Sequence, residues 1–309
     1  MVVEVTYREP QSPCMSSGAI EAIDAIKDAY VLLHSPWGCK FALEFMLIWS
    51  VMRHVKVGST GIIEPDVIMG GEEKLKRCIL QAAKVYDPKL IGVVNTCVGS
   101  TTREDIEAVI SEVQPETDID LIAVPTCGYE GDIIDGYSLT LELMVSKLTE
   151  QPQQRIPNSV NLVGWFVEDA NFEELKRIVA QLDITLNCCL LAGSTLEMVK
   201  QAARAEANLI LSEPIALKAC DLMKEKFGLP YLCADEMAPW GLESTAAWIR
   251  KAAEFFGKED LAEALIEREL REARAEMDQA RDLLRRKRVS VVASPDRVVP
   301  LTNFCCELG

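Results

Sequence analysis

A chain of 309 residues, 49% of them hydrophobic, has enough apolar content to build two cored domains. Its 32 Lys and Arg stand against 48 Asp and Glu, a formal charge of −16. That balance excludes nucleic acid and anionic membrane surfaces as expected partners, because phosphate binding needs a concentrated basic surface.

The first residues, Met1–Arg8, read as a short alternating strand and lack the basic start and apolar core of a secretory signal. The longest apolar stretch, near Phe41–Met52, is interrupted by Glu44 and Ser50 and is too short to span a bilayer. A cytoplasmic protein is therefore expected. In a reducing compartment its eleven cysteines are not expected to form a disulfide framework, which leaves metal binding or plain burial to account for them.

Short Val/Ile/Leu runs then alternate with helical stretches. The predicted strands are Tyr30–His34, Leu90–Asn95, Asp120–Val124, Val160–Gly164, Thr185–Leu191 and Leu209–Leu211. Between them lie helical patterns such as Ala19, Ile20, Ile23 and Ile26, which share one face at three- and four-residue spacing. Strands this apolar are covered on both sides, as in parallel sheets. The expected class is α/β, with doubly wound, mostly parallel sheets in successive Rossmann-like domains.

A polar stretch bracketed by prolines, Gln151–Ser159, marks a boundary. The expected organisation is an N-terminal domain over 1–155, a second α/β domain over 156–258, and a segment over 259–309. That last segment opens with a charged helix, Glu259–Arg286, whose mixed charges read as a solvated face. A strand at Val289–Ala293 and a helix at Val298–Leu308 follow, and they read as the start of a third domain that is largely missing.

Three cysteines sit in turns beside glycines, where sulfur and backbone N–H groups can face a bound cluster together. Cys14 lies in Pro13-Cys14-Met15-Ser16-Ser17-Gly18, with Ser16 or Ser17 expected to cap the following helix. Cys39 lies in His34-Ser35-Pro36-Trp37-Gly38-Cys39, after a predicted strand, and Cys97 in Asn95-Thr96-Cys97-Val98-Gly99, between strand and helix. In an open parallel sheet, ligands gather outside the carboxyl ends of strands, so Cys39 and Cys97 can converge there. Their spacings match no metal-binding rule, and taken alone each reads more readily as a buried packing thiol than as a ligand. Cys127, in Pro125-Thr126-Cys127-Gly128-Tyr129, is the most ambiguous of the others. Cys78, Cys188, Cys189, Cys220, Cys233, Cys305 and Cys306 read as packing. His34 reads as hydrogen-bonding a loop backbone, and Gly70-Gly71 as a tight turn that places Glu72 and Glu73 at a helix N-terminus. No phosphate-cradling glycine motif occurs, so any ATP chemistry belongs to a partner.

In order and spacing these segments resemble the nitrogenase component 1 superfamily. It includes the nitrogenase molybdenum–iron protein subunits, the cofactor-assembly scaffold subunits, dark-operative protochlorophyllide reductase and nickel-sirohydrochlorin reductive cyclase. Cys14 with Gly18-Ala19 is similar to the family's Cys-x-x-x-Gly-Ala, and His34–Cys39 to its His-Gly-Pro-x-Gly-Cys, with Ser35 for the glycine. Gly70–Leu75 is similar to its Gly-Gly-Glu-x-Lys-Leu, and Thr96-Cys97 with Glu104-Asp105-Ile106 to its Thr-Cys and Gly-Asp-Asp-Ile. The likeness extends to Phe256-Gly257.

The resemblance implies that Cys14, Cys39 and Cys97 hold an iron–sulfur cluster, of the 4Fe–4S type, at a subunit interface. The partner, a homologous subunit or a second copy of the chain, would supply the missing ligand. It further implies an iron–sulfur subunit of a nitrogenase-like reductase, an oxidoreductase relaying electrons from an ATP-dependent iron protein to a bound substrate or cofactor. The alternatives are a cofactor-assembly scaffold or carrier without turnover, and a cluster-free soluble α/β ligand-binding relative. The only histidines are His34 and His54, so the family's histidine ligand to the nitrogenase cofactor has no expected counterpart.

Overall fold

The computed structural model describes residues 13–51, 56–165, 167–233, 238–284, 287–293 and 295–308. The strand expected at Met1–Arg8 and the histidine His54 lie outside them. The chain forms two compact units, one comprising the residues up to Leu148 together with Leu191–Val199, the other Thr149–Leu190 with Lys200–Gly309.

The first unit runs α1 (Met15–Asp24), β1 (Ala29–His34), α2 (Trp37–Val51), β2 (Val57–Ser59), α3 (Glu64–Met69), α4 (Glu72–Tyr86), β3 (Leu90–Asn95), α5 (Cys97–Thr102), α6 (Ile106–Val113), β4 (Asp120–Val124) and α7 (Ile133–Lys147). Its strands pair in parallel in the order β2-β1-β3-β4, with Leu33 opposite both Ser59 and Val94. β3 is buried along its whole length, which requires cover on both faces. On one face Tyr30, Leu32, Ile91 and Val93 pack with Leu75 and Ile79 of α4 and Val109 and Ile110 of α6. Alternation sends Val31, Leu33 and Val94 to the other face, where Ile23 of α1 lies against Gly92. Gly70 takes a positive φ of 97° and Gly71 caps α4, so the glycine pair forms the expected turn with Glu72 and Glu73 in the first helical turn.

The second unit contains β5 (Ser159–Trp165), α8 (Ala170–Gln181) and β6 (Thr185–Leu191). After α9 (Leu196–Lys200) come β7 (Ala207–Ile210), α10 (Glu213–Phe227), β8 (Tyr231–Leu232), α11 (Leu242–Phe256), α12 (Glu259–Leu284) and α13 (Pro295–Leu308). Its sheet order, β6-β5-β7-β8, repeats the topology of the first unit. Asn161 stands in register with Asn208 and donates to its side-chain oxygen at 2.8 Å, while Asn187 donates to Asn161 at 2.8 Å. Asn161 and Asn208 are fully buried, so a one-residue slip of β5 against β7 would orphan their amides.

Six predicted strands are present within one or two residues of their expected ends. β2 and β8, three and two residues long, are too short to leave a periodic signature. The strand expected at Val289–Ala293 does not form, and residues 287–293 carry no regular structure, because an apolar run becomes a strand only beside a ladder partner.

α1 and α7 cross in close contact through Gly18 and Gly136. A Cβ on Gly136 would collide with the Met15 carbonyl oxygen, and one on Gly18 with that of Ile133. Gly136→Ala gains about 1 kcal/mol of helix propensity but must separate two backbones. Overpacking of about 1–3 kcal/mol is therefore expected to win, lowering the urea midpoint of the first unit.

Candidate metal centre

Four turns at the carboxyl ends of the first unit's strands, or beside them, carry the chemistry. Cys14 is the residue before α1, its extended backbone bridged to Asp132, with Met15 N–H donating to the Gly131 carbonyl at 3.2 Å. Cys97 is the first residue of α5, and Cys39 lies in the first turn of α2 rather than in a loop before it. Cys127 follows β4 and is 1% exposed.

Gly128 is where Cys14 and Cys97 meet. Its N–H donates to the Cys97 sulfur at 3.2 Å. A Cβ placed on it would stand 3.0 Å from that sulfur, 3.3 Å from the Cys14 Cβ and 3.8 Å from the Cys14 sulfur. Only glycine leaves that space open while offering an N–H to sulfur. Burial pushes the Cys39 thiol up, and charge repulsion from Cys97 and Cys14 adds to the shift. Burial likewise raises Cys97, against the Gly128 hydrogen bond that favours its thiolate, and Cys127 and Cys14 raise it further. Among the described residues no three His, Cys, Asp or Glu side chains close around a single metal ion. A cluster takes its thiolates on different irons, so its ligands stand farther apart than a single ion's.

Hydroxyl groups bind these turns together. Thr126 donates to the Asn95 carbonyl at 2.6 Å, which leaves its oxygen to accept from Ser16 at 2.9 Å. Ser100 donates to the Thr126 carbonyl at 3.2 Å, and Thr96 donates to the His34 carbonyl at 2.9 Å. Ser16 thus serves this network, and neither it nor Ser17 caps α1, whose cap position is Cys14 itself.

His34 is fully buried, and its ring meets side chains rather than the loop backbone expected for it. Thr60 Oγ1 accepts the Ser35 N–H at 3.2 Å and lies 3.2 Å from His34 Nδ1, while His34 Nε2 is hydrogen-bonded to the Glu104 carboxylate. Gly71 lies directly over this pair. The role of Glu104 was hidden in the sequence because its partner is 70 residues away; the signal was its place in the motif after Cys97.

The remaining cysteines divide by surroundings. Cys188, Cys189 and Cys220 are buried in the second unit, and burial, reinforced by the neighbouring Cys188, pushes Cys189 up to about 12. Cys78 packs against the α4–α6 core.

Thr126→Val removes a donor and an acceptor from a buried network, at an expected cost of about 1–3 kcal/mol in urea unfolding, whereas Thr126→Ser should stay near wild type. In the metal-free protein, Cys97 is exposed yet its thiol is raised, so the thiolate fraction at a given pH is smaller than that of free cysteine. Its alkylation by iodoacetamide should therefore lag behind free cysteine between about pH 7 and 9, and accelerate as pH rises.

Residues 14–309 match the family model described as nitrogenase component 1 type oxidoreductase. The nitrogenase iron-molybdenum cofactor biosynthesis protein NifE of Methanococcus maripaludis is 27% identical over 96% of this chain and 63% of its own length. The nitrogenase molybdenum-iron protein alpha chain of Methanothermobacter marburgensis is 28% identical over 90% of this chain and 63% of its own. This chain thus spans somewhat under two thirds of the length of these relatives. A solved structure of nitrogenase Cp1 at pH 6.5 superposes with a TM-score of 0.89 at 22% identity, covering 98% of this chain and 70% of that one, which shows the fold to be shared. With nearly all of its length matched by that family model, the chain belongs to the nitrogenase component 1 family.

Proposed function

We propose that Cys14, Cys39 and Cys97 hold an iron–sulfur cluster of the 4Fe–4S type, and that the chain is the cluster-bearing subunit of a nitrogenase-like assembly. The observation that carries this reading is the meeting of Cys14 and Cys97 at Gly128. The donor set suits the group: soft thiols, a backbone N–H aimed at sulfur, and a space beside Gly128 that any side chain would fill. When bound, such a cluster supplies one-electron redox chemistry. The chain's own part is to position the sulfurs through the Thr126 and Thr96 hydroxyls and to limit their exposure to water.

Three thiolates are one short of the usual four. Beside Cys39, α2 leaves Trp37, Phe41 and Phe45 at four-residue spacing, 62%, 74% and 56% exposed. α3 adds Ile68 and Met69, 80% and 84% exposed. An apolar face of this kind is typical of a protein–protein interface. It supports a homologous subunit, or a second copy of the chain, as the source of the remaining ligand. Cys127 supports the site without completing it, being buried against Cys97.

Between the two uses of such a site, a cofactor-assembly scaffold is favoured. NifE relatives from Methanococcus maripaludis and Methanosarcina barkeri match 96–97% of the chain. The alternative, an electron relay from an ATP-dependent iron protein to a bound substrate, draws on the molybdenum-iron alpha-chain relative.

Anaerobically purified protein should be brown and contain iron. Cys39→Ala should remove most of that iron, and Cys78→Ala none of it. Colourless, iron-free wild type after anaerobic reconstitution would overturn the cluster. Phe41→Glu should weaken assembly with the partner or second copy in sedimentation. Reductant- and ATP-dependent turnover with an iron protein would favour the relay, whereas cofactor binding without electron consumption favours the scaffold.

A further inference from the structure

Cys127 stands among the cysteine turns without a part in the proposed cluster. It is 1% exposed, whereas Cys97 is exposed to solvent. Gly128, the residue after Cys127, donates its N–H to the Cys97 sulfur at 3.2 Å. No cis peptide bond occurs among the described residues, and in a trans peptide the N–H lies on the same side of the C–N bond as the preceding Cα. For a straight hydrogen bond the Cys97 sulfur therefore stands about 4 Å from the Cys127 Cα, and the two Cα atoms no more than about 7 Å apart. Disulfide-bonded cysteines usually hold their Cα atoms about 4.4–6.8 Å apart. Side-chain rotation is thus enough to join this pair.

The surroundings support it. The Cys97 and Cys127 side chains hydrogen-bond to one another, and Tyr129 hydrogen-bonds Cys127 as well. Cys14 also approaches Gly128, but its sulfur lies near the Ser17 hydroxyl, at 3.9 Å. An exposed thiol meets an oxidant arriving from solvent, and a buried thiol beside it can attack the sulfur once that sulfur is oxidised.

We propose that Cys97 and Cys127 form a reversible disulfide when the metal-free chain meets a peroxide, with Cys97 as the reactive thiol and Cys127 as the resolving one. The Cys97 thiolate attacks one peroxide oxygen, the O–O bond breaks and hydroxide leaves, giving a sulfenic acid. The Cys127 sulfur then attacks the Cys97 sulfur. An S–S bond forms, the S–O bond breaks, and the hydroxyl departs as water with the Cys127 proton. Two thiols are oxidised and one peroxide is reduced to two waters. The disulfide stands apart from the cluster, but its consequence rests on that reading. It would withhold one of the three proposed ligand sulfurs while keeping Cys97 from the irreversible sulfinic stage.

The test treats the metal-free full chain with hydrogen peroxide and reads tryptic peptides by mass spectrometry. Wild type should yield a Cys97–Cys127 cross-linked peptide, two hydrogens lighter than its parts and lost on adding dithiothreitol. The oxidised protein should also lose most of its iron uptake on anaerobic reconstitution and regain it after dithiothreitol. In Cys127→Ser, excess peroxide should carry Cys97 to the sulfinic acid, two oxygens heavier and resistant to dithiothreitol. No cross-link in wild type, a link from Cys97 to Cys14 instead, or a Cys97 in Cys127→Ser that dithiothreitol restores as fully as in wild type would overturn the proposal. The wild-type digest decides alone if Cys127→Ser does not fold. A wild type that cross-links yet takes up no iron before oxidation would uphold the disulfide and overturn the cluster.

Discussion

The cysteine turns of the first unit depend on hydroxyl-to-carbonyl bonds that cross from one strand end to the next. Thr96 holds the His34 carbonyl, Thr126 holds that of Asn95, and Ser16 reaches Thr126 from the start of α1. These groups are buried, so moving one turn away from another leaves a donor or carbonyl unpaired in a low-dielectric interior. The sulfurs of Cys14 and Cys97 are consequently placed by the protein's own hydrogen bonds. For the cluster proposed above, a donor set placed in this way spends less of its binding free energy on ordering the loops.

Parallel pairing explains why those turns are neighbours at all. In the order β2-β1-β3-β4 the chain leaves β1 in one direction and returns beside it in the other, so the carboxyl ends of β1 and β3 lie side by side with their connections diverging. Ligand sites of open α/β sheets form at such a point. The second unit repeats the order as β6-β5-β7-β8 but fills the equivalent layer differently. A buried asparagine ladder sets its register, and the strand it crosses, β5, ends at Trp165, on the wall of a largely apolar cavity. One topology therefore carries thiols at its turns in one unit and an asparagine ladder and an apolar cavity in the other, which is the sense in which fold and site are separable.

Thiol chemistry follows the same division. Cys188, Cys189 and Cys220 are buried in the second unit, where they behave as small apolar side chains, and desolvation pushes the Cys189 and Cys220 thiols up. Cys14, Cys39 and Cys97 sit at helix starts, half-buried or exposed, and the Gly128 N–H donates to Cys97. Position in a turn, more than burial, separates a candidate ligand from a packing cysteine, since Cys78 is half-buried too and packs against the core.

Local patterning was enough to expose most of the architecture. Apolar runs of three to seven residues located six strands, because burial on both faces of a parallel sheet imposes a composition that survives in one dimension, while helical spacing located α1 and charged, alanine-rich composition α12. The same patterning failed at Val289–Ala293, where strand-forming residues have no ladder to join, and at β2 and β8, which are strands only because β1 and β7 pair with them. The candidate thiols were legible as cysteines in glycine-flanked turns. The Gly128 space, the reach of Ser16 to Thr126 and the pairing of His34 with Glu104 were not, since each joins residues 31 to 114 positions apart. Sequence alone thus settled most of the strand and helix segments, since hydrophobic period and turn chemistry act over a few residues. Only the tertiary structure decided which turns face one another, because that depends on strand order, and strand order is a property of the whole sheet.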